Sequence, residues 1–204
     1  LGYDVKGKIV DFFFFWIPQK RQRYILVGTK KDNAENFFDL LVQNKVTFFK
    51  SKNFEKDTVS LSDAISDLLQ SHGTKESPDT KNFRAGIYAK ATTSYQKLMR
   101  KDKNLTKKIA SSHRFANHKK ETIEKFQYIL EFGRANKNIS DEIKAKYNIK
   151  KRTVVPLCSN SPTPTLTTLP DDYIHYCEPR ILTVREYARI QSFPDSYEFK
   201  GGYT

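Results

Sequence analysis

Five aromatic residues in a row, Phe12 to Trp16, constrain this chain more than any other stretch. A strand with one wet face would put every second ring into water, so simple alternation cannot account for them. Burial on both faces, at the edge of a larger sheet, is the expectation. Lys8 to Phe15 and Arg23 to Thr29 read as two short strands around a turn that contains Pro18. Unless the chain's own helices shield one face, the run is an aggregation or dimerisation hazard.

After Lys31 the apolar spacing becomes helical. Ala34, Phe37, Phe38, Leu41 and Val42 share one predicted face, with Asp32 or Asn33 available as cap. Leu61, Ala64, Ile65, Leu68 and Leu69 repeat the pattern behind Ser60. The segment from Ser71 to Lys81 reads as an exposed loop. Tyr95 to Tyr147 is helical in tone and strongly basic, and Ile123, Phe126, Ile129 and Leu130 mark its clearest amphipathic helix. Ser159 to Pro170, rich in Ser, Thr and Pro, predicts an extended loop or edge strand. The paired Asp171 and Asp172 read as solvated turn residues with no catalytic role.

With 204 residues, 38% of them hydrophobic, the chain can bury a real core. Its 36 Lys and Arg against 23 Asp and Glu leave a net charge of +13, which favours a polyanionic partner. Nucleic acid is the first candidate and an anionic membrane surface the rival. No apolar stretch approaches the roughly 20 residues of a spanning helix, and no leader is evident, so a cytoplasmic protein with no membrane partner is expected. Cys158 and Cys177 read as two free thiols, because no further Cys/His pair completes a zinc pattern.

Two ordered motifs carry the chemistry. Gln19, Arg21 and Arg23 would project to one face of a strand at period two, presenting an amide and two guanidinium forks to one ligand. Far downstream, Arg180 to Pro194 combines a capping box, Thr183 with Glu186, an arginine-studded face and a Phe193-Pro194 stop. Together, in this order, they resemble the eighth and ninth motifs of the DNA cytosine-5 methyltransferases.

That resemblance implies an α+β fold: a small target recognition domain with a strand pair belonging to the catalytic α/β domain. Residues 1–30 would be the edge of the catalytic domain, 31–179 the recognition domain, and 180–204 the ninth motif and the start of the return. Arg21 and Arg23 would contact a cytosine flipped out of the duplex, with Gln19 organising the same wall and Lys20 beside it on the DNA. Thr165-Leu166 matches the Thr-Leu dipeptide of such domains, its hydroxyl available to a phosphate or base edge and its leucine to packing. Lys97 to Lys108, His113 to Lys120 and Lys144 to Arg152 would supply phosphate contacts, and Tyr95, His113, Phe115 and His118 could reach base edges. Arg185 and Arg189, four apart on one face, are expected to fasten the recognition domain rather than touch DNA.

The family's nucleophile follows a proline, whereas Cys158 follows Leu157 and Cys177 follows Tyr176. No Phe-x-Gly-x-Gly loop for S-adenosylmethionine is present either. The expectation is a C-terminal portion of an enzyme, inactive alone, with no cofactor bound to it. Its partners would be double-stranded DNA and the N-terminal catalytic domain of the same bacterial protein, and its setting a restriction-modification system. An RNA cytosine-5 methyltransferase fragment and a stand-alone nucleic-acid-binding module are the alternatives. Trp16 departs from the glycine that usually precedes Val-Pro-Gln in the family.

Overall fold

The computed structural model describes residues 2–54, 56–101 and 109–201. Strands β1 (Asp4–Asp11) and β2 (Gln22–Thr29) form an antiparallel pair with Asp11 opposite Gln22 and Asp4 opposite Thr29. Helix α1 (Glu35–Ser51) lies on one face of this pair, where the Asp4 carboxylate accepts from the Ala34 N–H at 2.7 Å and Lys8 pairs with Glu35. The N-cap is Ala34, without a side-chain cap, in place of the expected Asp32 or Asn33; Asn33 accepts from the Glu35 N–H at 2.8 Å in the turn that leads into the helix. The opposite face of the pair leaves Val5, Ile9, Tyr24 and Leu26 exposed.

The aromatic run is not a strand. β1 stops at Asp11, whose carboxylate accepts from the Phe13 N–H, and Phe12–Phe15 wind into one 3₁₀ turn. A three-residue turn fans consecutive rings around several sides, so none of the four phenylalanines is fully buried. Lys45 from α1 covers Phe14 and Phe15, 5.6 and 5.8 Å from their centroids. Only Trp16 enters the core.

The α1 face also differs from expectation. Ala34 and Phe38 are buried, while Phe37 and Val42 are exposed. A two-stranded sheet is too narrow to cover a wide apolar stripe. Helix α2 (Leu61–Ile65) carries the capping box of Ser60 and Asp63, and a 3₁₀ turn continues it to Leu68. The expected loop after Ser71 contains β3 (Thr74–Glu76), recruited by antiparallel pairing to β4 (Arg84–Ile87). The basic middle third is likewise not all helical: α3 (Ser94–Met99) is followed by β5 (Ile109–Arg114), which completes a β3-β4-β5 sheet. Pairing with a distant strand overrides local helical tone.

Helices α4 (Lys120–Phe132) and α5 (Asp141–Lys146) follow. The two-residue strands β6 (Val155–Pro156) and β7 (Tyr173–Ile174) then pair in parallel, and α6 (Val184–Ile190) closes the order. One core gathers Leu61, Ile65, Leu68, Tyr95, Leu182 and Ile190 between α2, α3 and α6. A second, under α4 and α5, contains Phe126, Ile129, Ile143 and Ile174. The mixture of a hairpin, small sheets and separate helices is consistent with the expected α+β class. Among the described residues no helix is long and apolar enough to cross a membrane.

Candidate nucleic-acid interface

The Gln19 to Arg23 segment and the loop that carries the Thr-Leu dipeptide meet edge to edge. Gln19 and Thr163 form a parallel β-bridge, in which the Lys20 N–H donates to the Thr163 carbonyl at 2.8 Å and the Thr163 N–H to the Pro18 carbonyl at 3.0 Å. The Thr165 hydroxyl adds a bond to the Lys20 carbonyl at 2.7 Å. Residues 145 positions apart thus share one backbone edge.

The expected period-two display of three side chains holds only in part. β2 begins at Gln22, so Gln19 and Arg21 precede the strand. Gln19 is turned into the bridge and is 1% exposed, with its Oε1 accepting from Arg21 Nη1 at 3.4 Å. Arg21 is half-buried, Lys20 is exposed, and Arg23 is exposed on β2 with Nη1 donating to the Gln22 carbonyl at 2.7 Å. Gln19 therefore orients Arg21 rather than sharing its solvent face. Thr165 is exposed and Leu166 is buried in the first core beneath it, the packing option foreseen for the dipeptide.

Trp16 has φ 66° and ψ 21°, the left-handed conformation that favours glycine. Its indole is buried against Phe49 and Tyr95, and Nε1 donates to the Lys56 carbonyl at 2.7 Å. The side chain offsets an unfavourable backbone by tying the turn to the end of α1.

Three side chains proposed for base edges are core residues instead. Tyr95, His113 and Phe115 are 2%, 0% and 3% exposed. The Tyr95 hydroxyl donates to the Arg189 carbonyl. His113 Nε2 faces the Leu68 carbonyl and Nδ1 the Thr183 hydroxyl, each at 2.8 Å. Since a carbonyl only accepts, Nε2 carries the proton. Gly86 makes room, because a Cβ there would come within 2.5 Å of His113 Nε2. His118 is half-buried and accepts from the Ile181 N–H at 3.3 Å. Both histidines therefore grip the segment that opens α6. Lys119, Lys120, Lys150 and Arg152 remain exposed cations, and part of the Lys97 to Lys108 segment lies outside the described residues.

Asp172 is another correction. It is 3% exposed, accepts from the Thr167 hydroxyl at 2.6 Å and pairs with Lys151 at 2.8 Å, closing the loop after Leu166. Asp171 stays exposed and also meets Lys151.

The arginines of the closing run are structural. Arg180 is bidentate to Glu186, with Nη1–Oε2 2.8 Å and Nη2–Oε1 2.7 Å, and also holds Glu178. Glu186 completes the capping box with Thr183. Burial alone would raise the Glu186 carboxyl, but Arg180 outweighs it and brings it to about 2. Arg185 donates to the Ser111 carbonyl and hydroxyl on β5 and to the carbonyls of Pro194 and Tyr197. Arg189 bridges Asp67 after α2 and Asp195 after α6. The helix stops at Ile190, three residues before the first residue of Phe193-Pro194, with Ser192 left-handed at φ 61°. Asp67 and Asp195, both buried, carried no sequence signal of this partnership.

Cys158 and Cys177 are free. Among the described residues no group of three or more His, Cys, Asp or Glu is placed to hold a metal ion.

An arginine thus stands beside a buried amide, on an edge shared with a Thr-Leu loop, in a fold closed by a capped, ion-paired helix. The chain belongs to the C-5 cytosine-specific DNA methylase family, whose model matches residues 1–204. It is similar to the type II methyltransferase M.DdeI of Desulfomicrobium norvegicum, at 29% identity over 100% of this chain and 48% of the relative. M1.HphI of Haemophilus parahaemolyticus is 27% identical over 98% of this chain and 42% of its own length. M.Sau96I of Staphylococcus aureus reaches 51% identity over a short stretch, 21% of this chain and 11% of that relative. The chain spans about half the length of the first two relatives. A solved E. coli structure described as a prophage-encoded DNA modification methyltransferase covers 95% of this chain and 51% of its own. It shares the fold, with a TM-score of 0.57 at 21% identity.

Proposed function

We propose that this chain is the target-recognition portion of a type II DNA (cytosine-5) methyltransferase of a restriction-modification system. In this reading residues 31–179 form the recognition domain, 1–30 the edge of the catalytic domain and 180–204 the link back to it. The shared edge holds a cytosine flipped from duplex DNA. Arg21 and Arg23 supply contacts to the target nucleotide, Gln19 orients Arg21, and Lys20, Thr165 and Leu166 shape the adjoining DNA surface. Flipping exposes the cytosine edge and its phosphate to fixed guanidinium donors, and exposed lysines add salt-dependent backbone affinity.

The observation that carries this reading is the backbone bridge between Gln19 and Thr163, beside Arg21. It joins the Gln19 to Arg23 motif and the Thr-Leu loop into one surface. The apolar face bearing Val5, Ile9, Tyr24 and Leu26 fits burial against the rest of a catalytic sheet. S-adenosylmethionine is the methyl donor of the whole enzyme, but no Phe-x-Gly-x-Gly turn or Pro-Cys pair occurs in these 204 residues. Neither the donor site nor the thiolate is assigned to this chain, which is proposed inactive by itself.

Duplex DNA is favoured over RNA because the matching family is that of the C-5 cytosine-specific DNA methylases. The test is methylation of duplex DNA and of tRNA by the whole protein, with Arg21→Ala and Arg23→Ala beside the wild type. Loss of a few-fold to a thousandfold in kcat/KM on DNA is expected for electrostatic contacts of this kind, on the order of 10²-fold for Arg21→Ala. Undiminished DNA methylation in both variants would remove the assigned arginine roles, and preference for tRNA would move the protein to the RNA class.

A further inference from the structure

We propose that Asn136 is a positioning residue for the target-base wall, acting through the Thr163–Leu166 loop; the proposal rests on the function inferred above. Asn136 follows α4, far in sequence from both motifs, and has φ 58°, which asparagine tolerates better than most residues. Its backbone N–H donates to the Pro156 carbonyl at 2.7 Å, fixing the turn to β6. Its side chain then reaches three points of the following segment. Oδ1 accepts from the Cys158 N–H at 3.0 Å, while Nδ2 donates to the Ser161 hydroxyl at 2.9 Å and the Pro162 carbonyl at 3.3 Å.

The segment so clamped is the lead into the shared edge. Pro162 is followed by Thr163, whose N–H and carbonyl pair with Pro18 and Lys20. From the other side, the first two N–H groups of α2, Leu61 and Ser62, donate to the Ser161 and Ser159 carbonyls at 3.0 Å. Residues 158–162 are therefore held between Asn136 and α2, and Thr163–Thr165 inherit that placement. Lys20, on the opposite side of the bridge, adjoins Arg21. A short chain of bonds thus runs from Asn136 to the arginine without Asn136 touching DNA. A fixed wall matters because a small misplacement of a group that contacts the reacting base is costly to rate.

Asn136→Gly tests this in the whole methyltransferase, since glycine keeps the backbone conformation and removes the clamp. The expected result is a kcat about tenfold lower with KM for DNA within about threefold. Asn136→Asp should recover part of kcat, because Oδ1 still accepts from Cys158 and the Ser161 hydroxyl can reverse to donate, while the bond to the Pro162 carbonyl is lost. Ile143→Ala, in the second core on α5, serves as a destabilised control and should keep its kcat. Hydrogen exchange at the Cys158 and Thr163 amides should accelerate in Asn136→Gly. Wild-type kcat in Asn136→Gly, or an equal kcat loss in an equally destabilised Ile143→Ala, would overturn the proposal. If the wild type transfers no methyl group to duplex DNA, the functional reading itself fails; unchanged Thr163 protection in Asn136→Gly would then independently overturn the clamp.

Discussion

Replacing Arg189 by Met would keep a long unbranched side chain in the first core and strand two buried carboxylates. In the native fold all five N–H groups of the guanidinium have acceptors. Nε donates to Asp195 Oδ1 at 2.6 Å, Nη1 to the Ala64 carbonyl at 2.8 Å and Asp67 Oδ1 at 3.1 Å, and Nη2 to Asp67 Oδ2 at 3.1 Å and Asp195 Oδ2 at 2.8 Å. All three side chains are fully buried. Removing one partner of a buried ion pair costs about 3–5 kcal/mol. Asp67 keeps Arg100 at 3.2 Å, and Asp195 keeps the Tyr88 hydroxyl and the more distant Arg185, so the lower end, about 3 kcal/mol, is expected. At this chain length that is a fall in Tm of about 6–12 °C. Urea denaturation followed by circular dichroism at pH 7 measures it. Adding Asp67→Asn to Arg189→Met should return about 1 kcal/mol or more, because one stranded charge disappears. The pH dependence has a defined sign. Burial raises the Asp195 carboxyl, but its bonds to Arg189 outweigh this and hold it below the usual carboxylate range. That stabilisation is present above the unfolded value of 3.8 and lost as pH falls through the lowered value. The gap between wild type and Arg189→Met should therefore narrow in acid. An Arg189→Met protein within about 1 kcal/mol of wild type, or zero coupling between positions 67 and 189, would refute the ion-pair argument.

Other outcomes are equally specific. Trp16→Ala should lose about 3–5 kcal/mol of folding stability. Trp16→Gly should lose about 1 kcal/mol less, because only glycine is relaxed at φ 66°, and the reverse order in parallel melts would contradict the left-handed assignment. Burial pushes His113 and His175 down from 6.5 to about 4, so the unfolded chain takes up protons that the native fold refuses. Stability should fall as pH drops from 6.5 towards 4, and Glu186 should extend the decline from 4.5 towards 2. Urea midpoints that stay level between pH 6.5 and 4.5 would count against neutral, buried histidines.

Short-range patterns were legible before any fold was known. Thr183 with Glu186 read as a helix start because a cap uses groups three residues apart, and that box is present; behind Ser60 a helix was expected, and Asp63 completes its box in the structure. The Gln19 to Arg23 and Arg180 to Pro194 motifs placed the chain in its family, and the assignment of Arg185 and Arg189 to fastening agrees with their burial. What those residues grip was not legible. Arg189 meets Asp67 across 122 positions, and His113 meets Thr183 across 70. No local spacing distinguishes such a basic residue or histidine from one in contact with DNA.

The aromatic run shows the same division. Composition demanded shelter for the rings, but whether they lay in a strand or a turn depended on the Asp11 carboxylate and on Lys45 arriving from α1. The sequence by itself determined the family, the basic charge and the helix starts, because these reside in residue identity or in bonds within one turn. Only the tertiary structure decided that Gln19 and Thr163 share an edge, that Tyr95, His113 and Phe115 are core, and that Asn136 clamps the loop between them. Each of those facts is a pairing between distant segments, set by which buried donors and acceptors the whole fold must satisfy together.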